Sequence, residues 1–284
     1  MKNSPIRIVT DSACDPPPAL AEQLDITVVP VYVNIGQQSY LDGVELTRDE
    51  FYQNLSHYDP YPTTAAPSSG SFTAVYQQLA DEGATDIISI HLASSLSATC
   101  QAAHLGAESV KGANVHIFDS QQITLGGGLL AVTAAELAAA GHSAADILAR
   151  LEQLRPHTRV FGMLDTLDSL RRSGRVSWAQ FGLGTLLQIK PIMVVHQGEV
   201  AVAARVRTRS RSQQTMLAMV DELAPFARLA VIHAAAPAAA TELQAKAQHL
   251  FPAGPQIPIT AITPAIGAHL GLGAVGFACI EQAG

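Results

Sequence analysis

Four segments rich in serine, threonine and glycine carry most of the side chains that could do chemistry in this chain. They are residues 10–12 (TDS), 62–71 (PTTAAPSSGS), 93–99 (ASSLSAT) and 119–128 (DSQQITLGGG). Three of them follow predicted strands, and open parallel sheets bind ligands beyond the carboxyl ends of their strands. Each single Ser or Thr is more simply explained as a helix N-cap. Taken together, the hydroxyls and helix starts favour an oxyanion site.

An arginine and a histidine could complete that site. Arg175 directly follows Ser173-Gly174, where a short helix is predicted to end because glycine commonly stops a helix. Lys190 is a second cation in an apolar stretch. His269 lies in GAHLGLG (267–273), where glycines on both sides leave room for a ligand. A lone histidine is more often structural, but this context makes His269 a candidate site residue.

The overall composition restricts the class of protein. Hydrophobic residues make up 48% and charged residues 14%, which favours a folded chain with a large core. The formal net charge of −7 argues against nucleic acid as a partner. The arginines of 205–211 are interpreted as a solvated junction between a strand and a helix, with a docking patch for an acidic protein as the alternative.

The cysteines and the absence of targeting signals restrict the cellular compartment. The three cysteines contain no CxxC pair, which indicates neither a disulfide framework nor a zinc site. No segment resembles a signal peptide or a membrane span. We therefore expect a soluble cytoplasmic protein without stable membrane insertion.

The elements that must position these residues follow an α/β pattern. Strands are predicted at 6–9, 26–33, 86–91 and 115–118, with helices between and after them. Thr47 and Glu50 form a capping box that opens one helix. From about residue 159 the pattern changes to a mixed or antiparallel sheet, with a hairpin at Gln197-Gly198. The fold class is thus α/β with two domains, 1–160 with a mostly parallel sheet and 161–284 with a mixed sheet. The loop at 57–72 could belong to either.

In this order, the motifs resemble the DegV family of fatty-acid-binding proteins over more than 250 residues. The family patterns TDSxxD, PLxV, YxDG, TSQPSxxxF, SSGLSGT, DS, LxxLxxGGRI, IKPI and HxGPG are matched at 10–15, 30–33, 40–43, 64–72, 93–99, 119–120, 167–176, 189–192 and 269–273. The main departures are Ala65, Ala66, Ala93, Ser95, Ala98, Ser173 and Leu272. They leave open whether Ser94 or Ser95 faces the ligand.

The resemblance implies a lipid-binding protein rather than an enzyme. A long-chain fatty acid such as palmitate, stearate or oleate would lie between the two domains, and no cofactor, metal or catalytic residue is expected. Thr64 and Ser94 or Ser95 would hold its carboxylate near Arg175 and His269. The Ile-Lys-Pro-Ile context of Lys190 looks like a feature of the fold. A separate fatty acid kinase would phosphorylate the bound carboxylate to an acyl phosphate, since this chain has no Walker A or kinase motif.

An enzyme is the competing hypothesis. Ser94, His269 and either Asp11 or Asp119 could form the triad of a serine-dependent acyl hydrolase. Against this, no GxSxG motif surrounds Ser94, and the hydroxyls come in clusters. A DNA-binding regulator is disfavoured by the acidic charge and the lack of a helix-turn-helix signal.

Overall fold

The computed structural model describes residues 5–175, 189–254 and 257–282. Within these ranges the strands form three sheets. The strands are β1 Ile6–Asp11, β2 Thr27–Val29, β3 Tyr32–Ile35, β4 Gln38–Leu41, β5 Thr63–Ala65, β6 Asp86–His91, β7 Asn114–Asp119, β8 Thr158–Met163, β9 Lys190–His196, β10 Glu199–Val206, β11 Phe226–His233, β12 Thr260–Ala261 and β13 Val275–Glu281.

The pairing of these strands confirms the predicted α/β class. A four-stranded parallel sheet has the order β2-β1-β6-β7. A six-stranded mixed sheet has the order β10-β9-β8-β13-β11-β12, with only the β11–β12 pair parallel. Three strands of the chain's first half form a small antiparallel sheet with the order β4-β3-β5.

Helices connect and cover the sheets. They are α1 Pro18–Gln23, α2 Arg48–Asn54, α3 Ser69–Asp81, α4 Thr99–Ala107, α5 Thr124–Ala139, α6 Ala144–Leu154, α7 Asp168–Ser173, α8 Arg209–Asp221, α9 Pro237–Lys246 and α10 Pro264–Leu270. The predicted ends of two helices are confirmed. Thr47 caps α2 by accepting the N–H of Glu50, and Gly174 ends α7 in the left-handed conformation at φ 65°. None of the described helices has the length and apolar character needed to cross a membrane.

Four details differ from the sequence prediction. The single strand predicted at 26–33 is two strands, β2 and β3, interrupted at Pro30, which has no N–H to donate to a ladder. The predicted loop at 57–72 contains β5, which pairs with β3. The predicted loop at 119–128 ends early because α5 begins at Thr124. No helix was predicted at 264–270, where α10 carries His269.

Helix α5 is buried between the two larger sheets, where it contacts β1 and β6 on one side and β8 and β13 on the other. Its glycines permit this close packing. A Cβ on Gly126 would lie 2.7 Å from the Val160 side chain, and one on Gly128 would lie 2.5 Å from the carbonyl oxygen of Cys14. The run of three glycines therefore lets α5 approach β8 at Val160 and the segment after β1 at Cys14.

The division into domains near residue 160 stays a prediction. Strand β8, Thr158–Met163, crosses that position and belongs to the six-stranded sheet. All other strands of that sheet follow it in the chain, and the strands of the other two sheets precede it.

We predict that Gly128→Ala destabilises the protein. The added Cβ would meet backbone atoms of Cys14 and Pro16 at 2.5 and 3.1 Å, and backbone cannot rotate away as a side chain can. Overpacking of this kind costs about 1–3 kcal/mol. Helix propensity alone would favour alanine by up to about 1 kcal/mol. Urea unfolding measures the difference.

Gly70→Ala in α3 is the matched control, since its Cβ would meet only the Ser68 hydroxyl oxygen, at 3.7 Å. We expect this variant to be as stable as the parent or slightly more stable. Equal stability of Gly128→Ala and the parent would show that α5 does not need the close approach.

Candidate functional site

A cavity of about 300 Å³ lies between the six-stranded sheet and the loops at the carboxyl ends of β1 and β6. Its described walls are the inner face of that sheet, Leu92 and residues 96–98 after β6, the start of α5, β5 with the residue that follows it, and α10. Most lining side chains are aliphatic or small. The cavity is therefore suited to an extended apolar group.

The sheet provides one wall because its strands alternate between two faces. The residues that face the cavity include Val160, Gly162, Met193, Val195 and Val200. Their neighbours in sequence, such as Phe161 and Ile192, pack in a separate core on the opposite face. The mixed sheet thus separates the cavity from the core beneath α8 and α9.

Thr64 and His269 meet at the polar part of this cavity. The hydroxyl oxygen of Thr64, on β5, is hydrogen-bonded to Nε2 of His269, on α10, at 2.9 Å. The other ring nitrogen, Nδ1, is buried and makes no hydrogen bond to any group in the described ranges. One ring nitrogen is therefore left for an additional partner.

The histidine is electrically neutral at neutral pH. Burial in a low-dielectric surrounding, assisted by the positive charge of Arg175, lowers the pKa of His269 to about 4. Arg175 is exposed, lines the cavity, and donates a guanidinium N–H to the carbonyl oxygen of Ser173 at 2.7 Å. Among the described lining residues, Arg175 alone carries a full charge at neutral pH.

Three of the five predicted site residues, Thr64, Arg175 and His269, therefore line one cavity. The structure places the other two elsewhere. The hydroxyl of Ser94 donates to the Asp119 carboxylate at 2.5 Å, and the hydroxyl of Ser95 donates to the carbonyl oxygen of Gly198 at 2.6 Å.

Neither Ser94 nor Ser95 is among the described lining residues, whereas Ser97 of the same loop is. The sequence could not distinguish these serines, because a loop has no fixed periodicity from which side-chain direction follows. The roles of all five residues in binding stay predictions.

Two buried carboxylates hold the helix that carries His269. Asp15 accepts the backbone N–H of Thr263 at 2.9 Å, and Asp42 accepts the Thr263 hydroxyl at 2.5 Å and the N–H of Ala265 at 3.2 Å. Arg48 pairs with Asp15 at 2.6 Å. Burial outweighs this pairing and raises the pKa of Asp15 to about 6. The matched motifs include both carboxylates but indicate no role for them.

The described residues do not assemble the hydrolase triad. Ser94 is hydrogen-bonded to Asp119, and His269 is hydrogen-bonded to Thr64. Asp11 is hydrogen-bonded to the buried His91 at 2.9 Å. No hydrogen bond in the described ranges joins Ser94 to His269. Nor do these ranges contain a group of three or more His, Cys, Asp and Glu side chains that could hold a metal ion.

Lys190 lies away from the cavity lining. Its ammonium donates to the backbone carbonyl and the carboxylate of Asp165, which also accepts from Arg209. This agrees with the interpretation of Lys190 as a feature of the fold. Val176, the last residue of the matched LxxLxxGGRI pattern, lies outside the described residues.

Comparison with known proteins gives a consistent result. A family model described as "Uncharacterised protein, DegV family" matches residues 5–282. A DegV domain-containing protein of Listeria innocua is 33% identical, with 96% of this chain and 98% of that protein aligned. One from Mycobacterium bovis is 35% identical, with 96% of each aligned.

Solved structures agree with the fold. The crystal structure of DegV, a fatty acid binding protein from Bacillus subtilis, superposes with a TM-score of 0.87 at 31% identity, covering 98% of this chain and 99% of that one. A DegV family protein from Thermus thermophilus, described by its fatty acid binding, gives 0.88 at 33% identity with the same coverage. A stearic acid-binding protein from Eubacterium ventriosum gives 0.86 at 26%, covering 97% and 98%.

We predict that His269 stays neutral down to about pH 4 in the ligand-free protein, which NMR titration of its imidazole protons would measure. Because its folded pKa lies below the ordinary 6.5, the unfolded chain takes up the proton first. The contribution of His269 to stability is therefore lost as the pH falls from about 6.5 to about 4.

Arg175→Gln separates the two causes. Removing the positive charge should raise the pKa of His269 partway towards its ordinary value, while burial still keeps it low. Arg171→Gln, at an exposed arginine on α7 outside the described cavity lining, is the control and should leave the titration unchanged. Identical titrations in all three proteins would show that Arg175 does not act on the histidine.

Proposed function

This chain belongs to the DegV family, and we propose that it binds a long-chain fatty acid in the cavity between its two larger sheets. The observation that carries the proposal is the asymmetry of the cavity. Its walls are aliphatic, while Thr64, His269 and the cation Arg175 supply polar groups at one part of it. A fatty acid has the same division into an apolar chain and one anionic group.

The hydrophobic effect supports this assignment. Each buried methylene contributes about 0.8 kcal/mol, so a chain of about sixteen carbons gains roughly 10 kcal/mol before the cost of ordering it. The lining has few polar atoms that would lose their water when such a chain enters. Palmitate, stearate and oleate are the candidate ligands, in agreement with the stearic acid named for the relative from Eubacterium ventriosum.

The carboxylate needs compensation because an isolated buried charge is costly. In our proposal the hydroxyls of Thr64 and Ser97 donate to it, and Arg175 supplies the opposite charge. The single ring N–H of neutral His269, on Nε2, donates to the Thr64 hydroxyl oxygen and leaves the Thr64 proton free for the ligand. Hydrogen bonds to an ionised group are stronger than those between neutral groups. The neutral state of His269 leaves Arg175 as the source of positive charge.

Mass spectrometry of an organic extract tests the ligand class. Protein purified without added lipid should release a fatty acid of about sixteen to eighteen carbons in near-stoichiometric amount. A buried chain of this length should bind tightly enough to stay bound during purification. An extract without fatty acid, together with no binding of a fluorescent fatty acid by the delipidated protein, would refute the proposal.

We predict that Thr64→Val weakens binding of palmitate by at least about tenfold, since a hydrogen bond to a charged group contributes about 1.5–3 kcal/mol. Valine keeps the shape and removes the hydroxyl. Thr64→Ser, which keeps the hydroxyl, is the control and should bind nearly as well as the parent. Titration with a fluorescent fatty acid and competition by palmitate give the affinities.

Ser97→Ala and Ser94→Ala extend this comparison along the loop. We expect Ser97→Ala to weaken binding and Ser94→Ala to leave it nearly unchanged, because only Ser97 lines the cavity. If Ser94→Ala weakened binding more than Ser97→Ala, the role in carboxylate binding predicted for Ser94 from the sequence would be supported instead.

The finer part of our proposal concerns the reaction of the bound ligand. The chain would present the fatty acid to a separate kinase, which transfers the phosphoryl group of ATP to the carboxylate and forms an acyl phosphate. Arg175 supports this role because it is exposed while also lining the cavity, so it can reach both ligand and partner. A fixed cation there would stabilise the negative charge of the transferring group.

We therefore expect Arg175→Gln to slow acyl phosphate formation by at least about tenfold while affecting fatty acid affinity less. The assay combines palmitate-loaded protein, ATP-Mg and a purified fatty acid kinase, and traps the product with hydroxylamine. Arg171→Gln is again the control. A rate equal to that of the parent would remove Arg175 from this step, and no product even with the parent would remove the presenting role while leaving fatty acid binding intact.

A further inference from the structure

Gly162 is a glycine in the middle of a strand with no conformational reason to be glycine. It lies in β8, between β9 and β13 of the six-stranded sheet, opposite Met193 on one side and Gly276 on the other. Its φ is not among the positive values found in the chain. A glycine in a strand interior weakens the strand because glycine loses more backbone entropy on folding than other residues and has no side chain to pack.

Gly162 also has no packing reason to be glycine. A Cβ at this position would meet no atom of the described residues within 4 Å, unlike Gly126 and Gly128, whose Cβ atoms would collide with neighbours. Gly162 lines the cavity, and the space in front of it is the cavity itself.

Gly162 lies near the centre of the cavity wall that the six-stranded sheet forms. Val160 on β8 and Leu164, the residue directly after this strand, line the cavity on either side of Gly162. Across the sheet, Met193 on β9 and Ile232 on β11 line it as well. With about 3.3 Å per residue, Val160 and Leu164 are separated by roughly 13 Å, and Gly162 lies halfway.

From this placement we infer that Gly162 sets the length of acyl chain that the protein accepts. This inference rests on the proposed function. A chain that fills the cavity has to pass over residue 162, where the missing side chain leaves room. A short chain can occupy the part on one side. A large side chain at 162 would divide the cavity and exclude long chains while still admitting short ones.

Gly162→Leu tests the inference with three probes, namely decanoate, palmitate and stearate. Palmitate and stearate should lose at least about tenfold in affinity, and decanoate should lose much less. Gly162→Ala adds a single methyl into open space and should change the preference little. The thermal midpoint of each variant reports whether it is folded.

A second substitution makes the test independent of general damage to the strand. Met193→Ala in the Gly162→Leu background returns volume beside residue 162 and should restore part of the palmitate affinity. Phe161→Leu alters the same strand on its opposite face and should leave the chain-length preference unchanged.

The outcomes separate this inference from the proposed function. If the parent binds none of the three fatty acids, the proposed function fails. If the parent binds them and Gly162→Leu weakens all three by the same factor, or Met193→Ala restores nothing, the role of Gly162 is wrong and fatty acid binding stands.

Discussion

The structure depends on a pair of buried carboxylates that join the two halves of the chain. Asp15 and Asp42, both from the first half, accept the N–H groups of Thr263 and Ala265 and the hydroxyl of Thr263, at the start of α10. Arg48 adds a hydrogen bond to the carbonyl oxygen of Ala261. Acceptors at a helix start satisfy N–H groups that have no partner within the helix. The helix that carries His269 is thereby attached to the part of the chain that carries Thr64.

Burying these two carboxylates costs free energy, and the hydrogen-bond donors around them offset part of that cost. Burial raises the pKa of Asp15 to about 6, although Arg48 opposes the shift. The folded state then binds this proton more tightly than the unfolded chain, so ionised Asp15 opposes folding at neutral pH. Its oxygens are surrounded by Arg48, Thr124 and the N–H of Thr263, which offset the loss of water. Asp42, whose pKa burial also raises, has Ser12, Thr263 and Ala265 as partners.

Hydrophobic periodicity predicted the α/β class and most strands, and capping and helix-stop residues predicted the start of α2 and the end of α7. These features depend on residues that are close together in the sequence. The sequence prediction failed where a partner distant in sequence decided the structure. The glycines of 126–128 looked like a ligand loop, yet α5 needs them to approach Cys14 and Val160. Thr64 was placed in a loop, yet pairing with Val33 makes that segment a strand. In the candidate site, residue types were predictable, whereas the directions of Ser94 and Ser95 depend on their distant partners Asp119 and Gly198.

Desolvation disfavours charge at both ends of α10, and the neighbouring groups decide which end stays charged. At the start of the helix, a carboxylate keeps its charge at neutral pH because Arg48 and backbone donors surround it. At the other end, burial and the cation Arg175 both lower the pKa of His269, so it stays neutral. Among the described lining residues this leaves one positive charge, at an exposed position, beside walls that are mostly apolar. An anionic group with a long apolar chain matches that distribution, because it meets the charge at one end and displaces water from the rest.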